Sequence, residues 1–234
     1  MRLEVCVDAF ESVLTAKAAG ADRVELCSAL NIGGLTPSYG LLDQVRFVEE
    51  LDKAVMIRPR SGNFVYSQKE IETMTYDVEW VKKLGYKEIV VGILTAEGYL
   101  DLAAMAYFVA LAAPMKVVLH RAFDVAREPE KDIPHLIDMG IVRILTSGQQ
   151  DTAIVGASYI RQIQEKFGQH ITIMPGSGVN AECLPALMAQ TGCGEYHMSG
   201  RLGRSSDKHV EDLVGYADYD TIRRVRLLGD SFFK

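Results

Sequence analysis

The chain has 234 residues, of which 48% are hydrophobic, enough to fill one substantial core. Asp and Glu number 31 against 25 Lys and Arg, so the net charge is −6, which disfavours nucleic acid or an anionic membrane as a partner. No apolar stretch is long enough to span a bilayer, and we predict no signal peptide. The four cysteines lack CxxC spacing, which favours free thiols in a reducing cytoplasm.

About eight short apolar runs, each ending at a polar or glycine-rich corner, predict buried strands. The predicted strands cover residues 3–7, 23–26, 54–57, 88–91, 116–119, 142–145, 170–174 and 195–197. Between them, residues 71–81, 133–137 and 160–167 carry apolar side chains at helical spacing. Gly85 and Gly140 follow helical segments and come just before a strand, as expected of a repeated β-α unit.

The alternation of strands and helices requires a parallel sheet, and about eight units favour a (β/α)8 TIM barrel over an open doubly wound sheet. Residues 8–11 read DAFE, without the GxGxxG of open dinucleotide-binding sheets. We therefore expect one α/β domain over residues 1–234. Its last unit is less regular, because residues 201–220 predict a flexible loop and residues 221–234 a C-terminal helix and tail.

In such a barrel the carboxyl ends of all strands open onto one mouth, where the polar corner residues are expected to gather. Alternation along the strands places the carboxylates of Glu4, Glu25 and Glu195 inside the barrel. A buried charge is costly unless it is paired. We therefore expect Arg58 and Arg60 to compensate these carboxylates.

Two histidines at inward-facing strand positions, His120 and His197, are candidates for proton transfer or for metal ligation at the mouth. If the protein is an enzyme, His120 moves the proton and Asp124 or Asp8 orients it, with Glu25 as a further catalytic candidate. A lone inward histidine is more often a hydrogen-bonded structural residue, and that interpretation stays open. No HExxH or similar spacing marks a zinc site.

The corners also offer groups that bind small anions. Guanidinium groups suit carboxylate and phosphate, and glycine-rich loops after the last two strands of TIM barrels often bind phosphate. The candidates for binding a small anionic metabolite are Arg58, Arg60, Arg121, Ser147, Gln149, Gly176, Ser177, Gly178, His197 and Ser199. Ordinary turn chemistry explains the glycines equally well.

Two cysteines lie on neighbouring predicted strands. Alternation puts Cys6 and Cys27 on the same face, and adjacent strands are about 4.8 Å apart. Thiols placed in this way can hold a soft ion such as Cu(I). Free cysteines also serve as small buried apolar residues, and spacing alone favours that structural interpretation.

Five stretches together are similar to one known family. They are AGADRVELC at 19–27, GGLTPS at 33–38, MIRPRSGNF at 56–64, HRAFD at 120–124 and RILTSGQ at 143–149. They resemble the CutC family, named copper homeostasis proteins, from the first predicted strand to Ser199. The resemblance implies a TIM barrel, a cytoplasmic location, often a homodimer, and copper binding, with Cys6 and Cys27 at the positions that match.

Three functional hypotheses follow, and the sequence does not decide between them. The first is a copper homeostasis protein that binds Cu(I) through Cys6 and Cys27. The second is a TIM-barrel enzyme in which Arg58 and Arg60 hold a small anionic metabolite and His120 transfers a proton. The third is a binding protein whose pocket has lost its activity.

Overall fold

The computed structural model describes residues 1–201 and 216–232 of the chain, in which eight strands alternate with helices. The strands are β1 (Arg2–Val7), β2 (Arg23–Leu26), β3 (Asp52–Met56), β4 (Glu88–Val91), β5 (Lys116–Leu119), β6 (Ile141–Thr146), β7 (Thr172–Pro175) and β8 (Glu195–Met198). The helices are α1 (Phe10–Ala19), α2 (Tyr39–Val45), α3 (Gln68–Lys83), α4 (Leu102–Ala112), α5 (Ala122–Val125), α6 (Ile133–Asp138), α7 (Ala157–Phe167), α8 (Leu184–Thr191) and α9 (Tyr219–Phe232). Short 3-10 turns cover Leu30–Ile32 and Pro129–Asp132.

The eight strands form one parallel sheet that curls into a nearly closed barrel. Their hydrogen-bonded order is β7-β6-β5-β4-β3-β2-β1-β8, and every pair is parallel. The two end strands, β7 and β8, lie in contact with each other. The predicted TIM barrel is confirmed, and the carboxyl ends of all strands open onto one mouth.

Local sequence signals explain why the helices form where they do. Ser67 and Glu70 make a capping box at the start of α3, and the predicted apolar stripe of this helix is buried at Met74 and Val78. After α1, Gly20 adopts φ = 94°, a left-handed conformation that ends the helix and turns the chain into β2.

The predicted helical spacing over residues 133–137 matches α6, which begins at Ile133 after a separate 3-10 turn at Pro129–Asp132. The structure differs from the prediction in the last unit. The last helix, α9, begins at Tyr219, inside the predicted loop 201–220. Residues 202–215 of that loop lie outside the described residues. Within the described residues, no helix has the length and apolarity needed to cross a membrane.

The end of the barrel where the strands begin, opposite the mouth, holds a network of buried ion pairs. We call it the closed end because these ion pairs cross the barrel interior. Arg23 bonds to Glu4 and, at 2.7 Å, to Glu195. Arg143 bonds to Glu195 at 2.9 Å and to Glu88 at 2.8 Å. The prediction that Arg58 and Arg60 compensate the interior carboxylates is therefore wrong, because arginines deeper in the barrel, on β2 and β6, take that role.

Candidate functional site

A cavity of about 350 Å³ opens at the barrel mouth, and residues from distant parts of the chain line it. The predicted site residues along its wall are Cys6, Glu25, Arg58, His120, Arg121, Ser177, Gly178, His197 and Ser199. The other residues of the wall, one glycine and six apolar side chains, were not predicted as site residues. They are Gly33, Leu30, Met56, Phe64, Leu145, Val179 and Met198. The cavity therefore combines polar groups with an apolar surface, as small-molecule sites do.

The remaining predicted residues stand away from the cavity wall. They are Asp8, Cys27, Arg60, Asp124, Ser147, Gln149 and Gly176. Asp8 forms an ion pair with Arg201. Arg60 pairs with Glu70 at 2.5 Å, at the start of α3. Asp8, predicted to orient His120, and Arg60, predicted to bind an anion, are therefore each neutralised by an ion pair with another residue of the chain.

Asp124 anchors the loop after β6 and does not contact His120. Its carboxylate accepts hydrogen bonds from Thr146 Oγ1 (2.5 Å), from the backbone and hydroxyl of Ser147, and from Gln149 N. It also pairs with Arg121 Nε at 2.8 Å. The expectation that Asp124 or Asp8 orients His120 is thus corrected: Asp124 holds the loop and positions Arg121 at the mouth.

His120 is held by backbone groups and by a close approach to a glycine. Its Nδ1 accepts a hydrogen bond from Ala122 N at 3.1 Å, and Nε2 is buried with no partner among the described residues. A Cβ at Gly92 would come within 2.5 Å of the ring, so only glycine leaves room for it. Burial, reinforced by the charge of Arg58, lowers the pKa of His120 to about 3, which keeps the ring neutral.

Three buried side chains at the base of the cavity place potential metal-ligating atoms close together. One ligand atom each of Cys6, Glu25 and His197 lies within 4.8 Å of the other two. The register of β1 explains this proximity, because Cys6 is the partner of Glu25 on β2, while Glu4 is the partner of His197 on β8. Parallel strands thus bring three distant sequence positions to one point.

A carboxylate behind His197 fixes its orientation. Glu4 Oε1 lies 2.8 Å from His197 Nδ1, and the other ring nitrogen, Nε2, lies 3.9 Å from Glu25 Oε2. Such a carboxylate–histidine pair leaves Nε2 for a metal ion, a common arrangement behind metal-binding histidines. Glu4 is in turn held by Arg23, so the closed-end network supports the mouth.

Burial perturbs the pKa values of this group strongly. Burial raises the pKa of Glu25 to about 7, and its Oε1 has no hydrogen-bond partner among the described residues. Burial alone would lower the pKa of His197, but the neighbouring Cys6 and Glu4 raise it well above its ordinary value. Burial alone would raise the pKa of Glu4, but Arg23, His197 and Arg143 together lower it below its ordinary value. Glu25 and His197 therefore both hold protons more tightly than usual, and a bound cation would displace these protons.

Cys27 lies beside this group rather than within it. Its sulfur is 3.6 Å from Glu25 Oε2 and is packed against Gly34, where a Cβ would come within 3.2 Å. The side chain is fully buried among Ala54, Val90 and other apolar residues of the barrel interior. Burial raises the pKa of its thiol well above the ordinary value, which disfavours the thiolate that binds metals.

Arg58 is a buried cation that joins two loops of the mouth. Its guanidinium donates to the carbonyl groups of Gly33 (3.1 Å), Gly34 (3.0 Å) and Gly62 (2.9 Å), and it lies 4.8 Å from the ring centre of Phe64. No carboxylate pairs with it in the described part of the chain, and its Nε is buried without a partner. A positive charge therefore faces the cavity region without a counter-charge.

The predicted phosphate loop after β7 has a packing role at its first glycine. A Cβ at Gly176 would lie 2.4 Å from Leu145 and 3.3 Å from His197, so this glycine permits the close approach of both side chains. Ser177 and Gly178 both have positive φ and line the cavity, and the hydroxyl of Ser177 donates to Asp151 O at 2.7 Å. Anion binding by this loop stays a prediction.

Comparison with known proteins identifies the family. The model of the CutC family matches residues 1–202. This chain belongs to the CutC family. A CutC family protein from Glaesserella parasuis is 43% identical over 228 residues, which cover 92% of this chain and 94% of that protein. The human copper homeostasis protein cutC homolog is 40% identical over 204 residues, covering 87% of this chain and 75% of that protein.

Solved structures agree with this assignment. A CutC protein from Streptococcus agalactiae superposes with a TM-score of 0.81 at 32% identity, covering 85% of this chain and 98% of that one. Phosphoribosyl anthranilate isomerase from Thermotoga maritima superposes with a TM-score of 0.61 at 12% identity, over 99% of each chain. The second likeness shows the shared barrel fold alone. The family resemblance seen in the sequence is confirmed.

Proposed function

We propose that this CutC family chain binds copper as Cu(I) at the base of the barrel mouth. Cys6 and His197 supply the principal ligands, a thiolate and an imidazole nitrogen, and Glu25 supplies a carboxylate oxygen. The observation that carries the proposal is the placement of these three ligand atoms within 4.8 Å of one another. Cytoplasmic residence, where thiols stay reduced, is part of the proposal, and the homodimer implied by the family resemblance stays a prediction.

The chemistry of the donor set fits copper better than the hard cations. Thiolate and imidazole groups select copper or zinc over calcium and magnesium, and a soft thiolate ligand suits Cu(I). All three side chains are almost fully buried, which favours a partly dehydrated ion. Glu4, held by Arg23, supports His197 from behind and keeps the ring in the orientation that the site needs.

This arrangement differs from a site built on Cys6 and Cys27. Glu25, not Cys27, is the strand partner of Cys6, and the thiol of Cys27 is packed among apolar side chains. In the proposed site Cys27 lies next to Glu25 and contributes packing rather than a metal–sulfur bond. Substituting each cysteine in turn distinguishes the two arrangements.

The test is a competitive Cu(I) titration under anaerobic conditions, with bicinchoninate as the chromogenic competitor. Cys6→Ser and His197→Gln are expected to weaken Cu(I) binding by about 100-fold or more. Loss of a residue that only supports a metal ligand typically costs about 10- to 100-fold in metal affinity, and loss of a ligand itself should cost more. Cys27→Ser is expected to change it by less than about tenfold. Cys193→Ser, at a cysteine that is equally buried but far from the mouth, is the matched control. Unchanged binding in Cys6→Ser would rule out the proposed site.

A further inference from the structure

Two buried nitrogen atoms at the mouth lack hydrogen-bond partners, and neither belongs to the proposed copper ligands. They are Nε of Arg58 and Nε2 of His120, on residues that both line the cavity. Buried polar groups are almost always hydrogen-bonded, so each exception calls for an explanation. Two exceptions on one cavity wall suggest that a ligand supplies the missing acceptors.

The hydrogen bond to His120 determines which ring nitrogen carries the proton. Nδ1 accepts from Ala122 N, so its lone pair is already used. In a neutral imidazole the proton is then on Nε2, which makes that nitrogen a donor. His120 therefore offers the cavity a neutral N–H group rather than a base.

Arg58 offers a second donor together with a positive charge. Carbonyl groups occupy its two terminal nitrogens and hold the guanidinium in place, which leaves Nε–H. The buried arginines of the closed end, Arg23 and Arg143, are each paired with two or more carboxylates, whereas Arg58 has none among the described residues. An anion in the cavity would provide the counter-charge that the fold leaves out.

We propose that the cavity binds a small organic carboxylate, whose oxygens accept from Nε2–H of His120 and Nε–H of Arg58. The apolar wall, which includes Met56, Phe64 and Leu145, takes the carbon skeleton of the ligand. Two donors and one buried charge match a monoanionic carboxylate. Of the groups that the sequence offered to phosphate, Arg60 and Gly176 do not line the cavity.

The site does not depend on copper, because none of its donors is a proposed copper ligand. The test therefore uses chelator-treated, metal-free protein titrated with butyrate and benzoate. The neutral analogues butyramide and benzamide have nearly the same shape and isolate the role of the negative charge. The readout on the wild-type chain is the ¹⁵N-detected shift of Arg58 Nε–H and His120 Nε2–H, with Arg60 Nε–H as the internal reference.

Substitutions then assign the donors. His120→Phe keeps an aromatic ring beside Phe64 but removes the donor, and Arg58→Lys keeps the charge but removes the guanidinium. Each is expected to weaken carboxylate binding by about tenfold or more. Arg60→Lys, in the same loop but paired with Glu70, is the matched control and is expected to bind as the wild type does.

The outcomes separate this proposal from the copper site. Saturable shifts at both nitrogens with the carboxylates, and none with the amides, support the proposal. It is overturned by equal binding of acid and amide, by inorganic phosphate binding more tightly than either carboxylate, or by the absence of shifts at both nitrogens. Carboxylate binding in a protein that fails to bind Cu(I) refutes only the copper proposal, and the reverse result refutes only this one.

Discussion

The two ends of the barrel differ in how their buried charged and polar groups are paired. At the closed end, Arg23 and Arg143 are each paired with several glutamates, and the charges form a connected network. At the mouth, Glu25, Arg58 and His120 each keep a buried polar atom without a partner among the described residues. The network of Arg23 and Arg143 is satisfied by the fold itself, although Nε of Arg2 at the same end is also buried without a described partner, whereas the mouth leaves three residues incomplete.

The difference indicates which residues serve stability and which serve binding. An unsatisfied buried group costs about 1–3 kcal/mol, and natural proteins keep such groups mainly where a function requires them. Glu4 connects the two regions, since one oxygen contacts Arg23 and the other contacts His197. The closed end thus acts as the rigid support of the mouth.

The largest expected effect is at the closed end. Arg23→Met removes the partner of Glu4 and of Glu195 and leaves buried carboxylates unpaired. We expect the free energy of unfolding to fall by about 3–5 kcal/mol, measured by urea denaturation. Arg161→Met, at an exposed pair with Glu165, is the control and is expected to stay within about 0.5 kcal/mol of the wild type. A loss below about 1 kcal/mol for Arg23→Met would show that the network is not structural.

At the mouth, the carboxyl group of Glu25 is expected to reduce the free energy of unfolding as the pH rises. The pKa of Glu25 is raised from 4.5 to about 7, so its contribution to stability is complete below pH 4.5 and is lost as the pH rises through about 7. Glu25→Gln has no such titration. Relative to this variant, the wild type should lose roughly 2–3 kcal/mol between about pH 5 and pH 8 in urea denaturation. Parallel pH profiles of the two proteins would contradict this account.

A third, smaller effect tests how the mouth is packed. A methyl group at Gly92 would meet the ring of His120 and the side chain of Ala122 at 2.5–2.8 Å. We expect Gly92→Ala to cost about 1–3 kcal/mol and to displace the His120 ring, which its side-chain NMR signals would report. At Gly194 an added Cβ meets nothing within 4 Å, so Gly194→Ala is the matched control. An undisturbed His120 signal in Gly92→Ala would refute the packing argument.

The sequence predicts the strands well because their signal is local. Short apolar runs marked all eight strands to within two residues at each end, and alternation placed Glu4, Cys6 and Glu25 inside the barrel. Arg23 lies two residues before Glu25, so the same alternation places it inward. The sequence therefore contains the signal for an inward-facing arginine at this position.

Pairing between strands is much harder to predict, because it depends on register. Alternation shows that Cys6, Glu25 and Cys27 face inward, but only the offset between β1 and β2 makes Glu25 the partner of Cys6. Loop geometry is equally hidden from the sequence. From the sequence, Asp124 is a plausible partner for His120. In the structure its carboxylate instead accepts hydrogen bonds from Thr146, at the end of β6, and from Ser147 in the loop that follows.

The most direct test of the central claim is X-ray absorption at the copper edge of the Cu(I)-loaded protein, which counts the sulfur atoms bound to the ion. The proposed site predicts one sulfur, from Cys6, together with nitrogen or oxygen from His197 and Glu25, and the same spectrum for Cys27→Ser. Two sulfurs in the wild type and one in Cys27→Ser would contradict the account and return the site to the pair of cysteines.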